Sequence, residues 1–178
     1  MGSNPFETGD RKIIPAVLIY PFVSGSEGER TLMLHRNGRE GDYHEGKWNG
    51  LGGKLEQDES PLQAARRELL EESGLDLEAA QFIPLGVIQF PCFKAHKNED
   101  WVVWVYAAKV APAQVKNVWP RGPEGDLHWV PTSELLSLNL WAGDRHFIPY
   151  VIARKPFQAT IWYRGEEVTQ FEISALLA

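Results

Sequence analysis

The 178-residue chain has one cysteine, Cys92, and so cannot form an intrachain disulfide. That scarcity suits a reducing, cytoplasmic setting. The thiol is expected to be a small buried or half-buried apolar filler rather than a nucleophile. Positive charge is also short, with 18 Lys and Arg against 24 Asp and Glu, for a net charge of −6. A broad cationic footprint for duplex nucleic acid is therefore absent. A small nucleotide that carries its own Mg2+ remains compatible with this balance. No apolar run approaches the about 20 residues of a membrane-spanning helix, and the N-terminus lacks the apolar core of a signal peptide. Internal repeats and low-complexity segments are missing too. What is present is enough apolar content for a single domain with a real core. We expect that domain to cover residues 12–178, after a flexible polar tail at 1–11.

The most informative stretch runs from Trp48 to Leu75. It reads as a glycine loop, one capped helix and a stop. Ser60 is a good N-cap, Pro61 suits the first helical position, and Gln63 completes a capping box. Gly74 supplies the C-terminal exit. Leu62, Ala65 and Leu69 form an apolar stripe at helical spacing.

Beside that stripe, Glu68, Glu71 and Glu72 stand at i, i+3 and i+4 and share a helix face. Like charges at this spacing repel, and near a helix C-terminus they also oppose the macrodipole. A bound cation is the simplest compensation. With no His or Cys nearby, the donors select a hard ion such as Mg2+, with Mn2+ as a substitute. Taken alone, the helix is equally compatible with a solvated acidic face.

The spacing from Gly53 through Glu59 to Arg67-Glu68-Leu69-Leu70-Glu71-Glu72-Ser73-Gly74-Leu75 resembles the Nudix box at each of its defining positions. The resemblance implies a Nudix hydrolase, an α/β protein in which a mixed β-sheet lies in an α/β/α sandwich. It also implies cleavage of a nucleoside diphosphate linked to another group. Glu59, Glu68, Glu71, Glu72 and Gly53 would then serve the metal. Arg67 would orient the glutamates through charge-assisted hydrogen bonds, and Glu71 would take part in catalysis. Gly50, Gly52 and Gly53 would let backbone approach metal and phosphate, since they carry no Cβ.

Strands are expected over Ile13–Val23, Thr31–His35, Phe82–Phe90, Trp101–Val110 and Leu127–Val130, with a terminal hairpin of Phe157–Tyr163 and Glu167–Ile173. Ser24–Arg30 reads as the loop of a first hairpin, and Arg36–Lys47 and Ala111–Gly125 read as longer loops. Pro131–Leu138 looks like a short helix and Asp144–Ala153 like a second full one. Strands on both sides of one long helix argue for layered α/β architecture.

Two further stretches narrow the resemblance. Gly46-Lys47-Trp48-Asn49-Gly50-Leu51-Gly52-Gly53-Lys54 is similar to the matching loop of the 8-oxo-dGTP diphosphatases of the MutT-like group, the vertebrate type above all. Trp141-Ala142-Gly143-Asp144 and the following Lys155-Pro156-Phe157 resemble the tail of the same group. That resemblance implies a purine nucleoside triphosphate such as dGTP or 8-oxo-dGTP as substrate. Asn49 and Asp144 would hydrogen-bond the base, Trp141 and Phe90 would wall it, Tyr43 would close the pocket, and Gly52 would contact the substrate. Glu124 falls where an extra metal ligand or base is often found. The group's motif has two adjacent aspartates, whereas this chain has Gly143-Asp144, so restoring an aspartate at 143 is expected to widen the accepted purines. An ADP-ribose or nucleotide-sugar pyrophosphatase and a non-catalytic Nudix domain that binds RNA or protein are the alternatives. Both a monomer and a homodimer fit.

Overall fold

The computed structural model describes residues 11–37 and 45–176. Strands β1 (Lys12–Gly25) and β2 (Gly28–His35) form a hairpin. Its turn is tighter than the expected Ser24–Arg30 loop, because Gly25 pairs directly with Gly28 and Gly28 takes φ 100. A two-residue strand, β3 (Trp48–Asn49), pairs with β2 where a loop was expected. After α1 (Pro61–Ser73) come β4 (Phe82–Lys94) and β5 (Glu99–Lys109). Next follow β6 (Arg121–Gly122), β7 (Gly125–Pro131), α2 (Asp144–Ile152), β8 (Phe157–Arg164) and β9 (Glu167–Ala175).

These strands form one mixed sheet in the order β6-β7-β2-β1-β5-β4-β8-β9, with β3 beside β2. β1 runs parallel to β5 and β4 parallel to β8, while the other pairs are antiparallel. Both faces of the central strands are buried, which is why β1 reads as a nearly continuous apolar run. Its alternation still sorts the side chains. Val17 and Ile19 join Leu32 and Leu34 under Ala64, Ala65 and Leu69 of α1. Tyr20 and Phe22 join Met33 under Phe147, Ile148 and Val151 of α2. The sheet is thus sandwiched between helices, as the α/β/α expectation requires.

Three expectations are corrected in detail. Pro131–Leu138 holds a 3-10 segment at Thr132–Ser137 rather than an α-helix. The Ala111–Gly125 loop contains a 3-10 turn at Pro112–Asn117 as well as β6. Cys92 is exposed, not buried. It sits in an irregular stretch of β4 between Phe90 and Lys94 with φ 52, and that local reversal turns it out of the sheet.

Candidate active site

The glycine loop is bound to the edge of β1 by backbone hydrogen bonds. Val17 N donates to Gly53 O at 2.8 Å, Ile19 N to Leu51 O at 2.6 Å, and Leu51 N to Ile19 O at 3.0 Å. This close approach requires the glycines. A Cβ on Gly52, which has φ 147, would stand 2.1 Å from Val17 O, and one on Gly53 would stand 2.4 Å from Glu68 Oε1. The loop is therefore pressed between β1 and the acidic face of α1.

Helix α1 starts and stops where the local chemistry directs. Gln63 N donates to Ser60 Oγ at 3.3 Å and Ser60 N to Gln63 Oε1 at 2.9 Å, closing the capping box. Gly74 ends the helix in the left-handed conformation with φ 76. Arg67, at mid-helix, gathers the acids around it. Its Nε donates to Glu59 Oε1 at 2.9 Å and its Nη2 to Glu59 Oε2 at 2.9 Å, a bidentate fork. Its Nη1 reaches Glu68 Oε1 at 2.8 Å and Glu71 Oε2 at 3.1 Å, and Nη2 also donates to Lys54 O at 3.0 Å. These contacts hold the Glu59 carboxyl below the usual carboxylate range and raise the Arg67 guanidinium further.

Glu72 is turned the other way. It is only 8% exposed, and its Oε2 accepts a hydrogen bond from Gly52 N at 2.8 Å. Burial pushes its pKa up to about 8, and the charges of Glu124 and Glu68 push the same way. Burial likewise raises Glu68. Because Arg67 draws Glu59, Glu68 and Glu71 to one side, the three helix acids do not converge. Among the described residues no group of three or more His, Cys, Asp or Glu side chains lies close enough to hold a metal ion. The donor set nevertheless fits a hard divalent cation. It is made of carboxylate oxygens only, and Glu68 and Glu124 both stand near enough to Glu72 to favour its protonation.

Glu72, Gly52, Gly53 and Glu124 form one end of a cavity of about 190 Å3, and Asn49, Phe90, Trp141 and Asp144 also line it. With Gly50, nine of the residues singled out from the sequence thus share one pocket. Glu59, Arg67, Glu68 and Glu71 do not line it and stand behind the Gly53 end. Tyr43 lies outside the described residues. Sequence reasoning missed Arg36, whose guanidinium pairs with Glu124, and the aromatic walls Phe93 and Trp101. Arg36 looked like one more loop cation. Phe93 lay beyond the expected end of the Phe82–Phe90 strand and Trp101 looked like the start of the next, and only the pairing of β4 with β5 brings them together.

At the other end, Asp144 opens α2. The residue is half-buried and lines the pocket. Burial pushes its pKa up to about 7, against the pull of Lys47 and Arg145. The Lys47 ammonium also lies over the Trp141 ring, 4.9 Å from its centroid. Asn49 Oδ1 is buried with no hydrogen-bond partner among the described residues, a state that buried polar atoms seldom keep in a resting protein.

Gly143, in the place of a second aspartate, has a structural reason. Its N–H donates to Tyr163 Oη at 2.7 Å, and a Cβ at 143 would stand 2.3 Å from that oxygen and 3.2 Å from Ile161 Cγ2. The expectation that aspartate at 143 would widen specificity is therefore revised, since Tyr163 fills the space. Gly143→Asp should lower Tm by about 2–10 °C, the scale of a 1–3 kcal/mol overpacking cost in a domain of this size. Adding Tyr163→Phe should recover part of that loss by removing the colliding oxygen. Thermal melts of the single and double variants check this, and an unchanged Tm for Gly143→Asp would sink it.

The comparisons with known proteins bear on the family and the fold. The NUDIX domain family model matches residues 12–151. The chain is 32% identical over 126 residues to an oxidized purine nucleoside triphosphate hydrolase of Danio rerio, covering 69% of this chain and 74% of that protein. It is 27% identical over 143 residues to the mouse protein of the same name, covering 78% and 82%. In structure it is similar to a MutT protein from Bacillus halodurans, with TM-score 0.74 at 22% identity over 90% of this chain and 97% of that one. A mixed sheet between helices, with an acidic box helix facing a glycine loop, is the frame of a phosphate-processing α/β protein, and the chain belongs to the Nudix family. Within that family it is a Nudix hydrolase.

Proposed function

We propose that the protein is a Mg2+-dependent pyrophosphohydrolase of purine nucleoside triphosphates such as dGTP or 8-oxo-dGTP, releasing the nucleoside monophosphate and pyrophosphate. The observation that carries this reading is the two-ended pocket. One end offers aromatic faces and the edge partners Asn49 and Asp144, and the other offers glycine backbone and carboxylates. A purine needs the first kind of surface and a triphosphate with its cation needs the second. The names of the zebrafish and mouse relatives point the same way.

Glu59, Glu68, Glu71, Glu72 and Glu124 are the residues that would hold Mg2+, or Mn2+ in its place, with the Gly53 backbone alongside. The bound ion supplies charge neutralisation for phosphate oxygens and lowers the pKa of water. The chain's own side chains do the rest. Arg67 fixes Glu59, Glu68 and Glu71 in one geometry, so little reorganisation is left for the reaction itself. Glu71 and Glu124 are the carboxylates best placed to take a proton from water. Their side chains are 57% and 43% exposed, and each is steered by an arginine, Arg67 and Arg36 respectively.

Two measurements test the reading. In 18O-labelled water, attack at the β-phosphorus puts the label in pyrophosphate, and label in the monophosphate would contradict the proposed bond choice. Turnover of dGTP and ADP-ribose measured side by side separates this reading from an ADP-ribose or nucleotide-sugar pyrophosphatase. A complete lack of Mg2+-dependent product would instead favour a non-catalytic Nudix domain.

A further inference from the structure

Tyr20 on β1 is fully buried, yet its hydroxyl has no hydrogen-bond partner among the described residues. An unpaired buried hydroxyl is costly and rare enough to need a cause. The ring has no freedom to carry the hydroxyl out to water. Phe147 meets it edge-on at 6.5 Å, and a Cβ on Gly50 would stand 3.0 Å from Tyr20 Cζ. Gly50 lines the pocket, so the ring lies directly beneath the pocket floor.

Three observations place this hydroxyl at the base end. Asp144 stands near enough for its charge to oppose ionisation of Tyr20, in addition to the larger effect of burial. Phe147, which packs on the Tyr20 ring, is on the same helix as Asp144 and one turn further along. Asn49, the residue before Gly50, contributes the second buried unpaired atom, its Oδ1. An amide oxygen from β3 and a carboxyl from α2 thus line one end of the pocket, with a hydroxyl from β1 beneath it, and two of these three lack a partner among the described residues.

We propose that Tyr20 is a positioning residue for base recognition: its hydroxyl donates to the Asp144 carboxylate when a purine occupies the pocket, holding that group as the anion and in the orientation a guanine edge needs. The inference rests on the purine reading of the pocket. Guanine presents two adjacent N–H donors on its Watson–Crick edge, and a carboxyl group accepts at both oxygens at once only when ionised. Lys47 from the segment before β3 and Arg145 from α2 also favour the anion. Tyr20, from β1, is the neutral donor among the groups that face Asp144. It can choose an orientation for the carboxylate without a strong ion pair that would compete with the base.

The test is the pH profile of KM for dGTP, whose inflections report ionisations of the free enzyme and of the enzyme–substrate complex together. In the wild type KM should fall as pH rises towards about 7, the value to which burial brings Asp144 in the free protein. Tyr20→Phe should move the lower end of that limb, which belongs to the complex, upward by about half a unit or more, because the anion loses its donor there. The same change should raise KM by about three- to tenfold, with kcat within about twofold. Incorporating 3-fluorotyrosine at position 20 makes the hydroxyl a stronger donor and should move the limb downward, and it keeps the test alive if Tyr20→Phe folds poorly. Asp144→Asn should remove the limb. If Asp144→Asn loses the limb while both changes at Tyr20 leave it in place, Tyr20 is only structural and the proposal is overturned. If Asp144→Asn keeps the limb, the reading of the base pocket itself fails and takes the proposal with it.

Discussion

Glu72→Gln is expected to lower turnover by about 10³-fold and yet to raise Tm of the metal-free protein. The two effects share one cause. Glu72 is 8% exposed and has a pKa of about 8, above the ordinary 4.5, because burial and the charges of Glu124 and Glu68 disfavour its anion. A group whose pKa is raised on folding contributes stability that is fully present below about pH 4.5 and is lost as pH rises through about 8. Metal-free wild type should therefore lose stability between pH 5 and pH 8, on the order of a few kcal/mol from this group. Glutamine has no charge to bury, and its amide oxygen can still accept from Gly52 N. The gain in Tm should accordingly widen from pH 5 to pH 8 and shrink when Mg2+ is added to the wild type. Glu71→Gln should behave differently. Its carboxylate is 57% exposed and paired with Arg67, so stability should change by only about 0–1 kcal/mol. Melts in EDTA at four pH values, followed by turnover assays with Mg2+, decide the matter. A Glu72→Gln protein that melts below wild type at pH 8, or that still turns over, would sink the metal reading.

That contrast marks how far a linear sequence can be read. The helix, its caps and its acids were legible because their signals are local. Ser60, Gln63 and Gly74 act on backbone groups within a turn of themselves, and the i, i+3, i+4 spacing alone puts Glu68, Glu71 and Glu72 on one face. The different fates of those acids were not legible. Arg67 reaches Glu71 within its own helix, but the loop that takes Glu72 is 20 residues away at Gly52. The same reasoning covers the residues that were missed. Arg36 meets Glu124 across 88 positions, and Gly143 makes room for Tyr163 across 20. No periodicity encodes such pairs, because they exist only after β2 has paired with β7 and α2 has docked over the sheet. The α/β/α layering lies between these cases. Alternation along β1 and β2 shows that both faces are apolar, but which helix covers which face is settled by packing.

At the base end the expected effect is smaller but more selective. Asp144→Ala should lower kcat/KM for dGTP by about ten- to a hundredfold, the rate equivalent of leaving buried polar groups unpaired at a cost of about 1–3 kcal/mol. A pyrimidine triphosphate such as dCTP, which does not place the same edge against Asp144, should be affected less. The pKa of about 7 adds a second signature. Near neutrality the carboxyl exists in both forms, and the two forms suit different bases. The anion accepts from the N–H groups of guanine, whereas the neutral acid can donate to adenine N1 while its carbonyl oxygen accepts from the amino group. Activity on dGTP should therefore rise as pH passes upward through about 7, and activity on dATP should fall over the same range. The opposite slopes belong to one residue, so Asp144→Ala should flatten both. Steady-state kinetics on dGTP, dATP and dCTP from pH 5.5 to 8.5, for wild type and variant, measure all of this in one series. Equal slowing of the three substrates, or parallel pH slopes for the two purines, would show that Asp144 supports the fold of the α2 terminus and does not read the base.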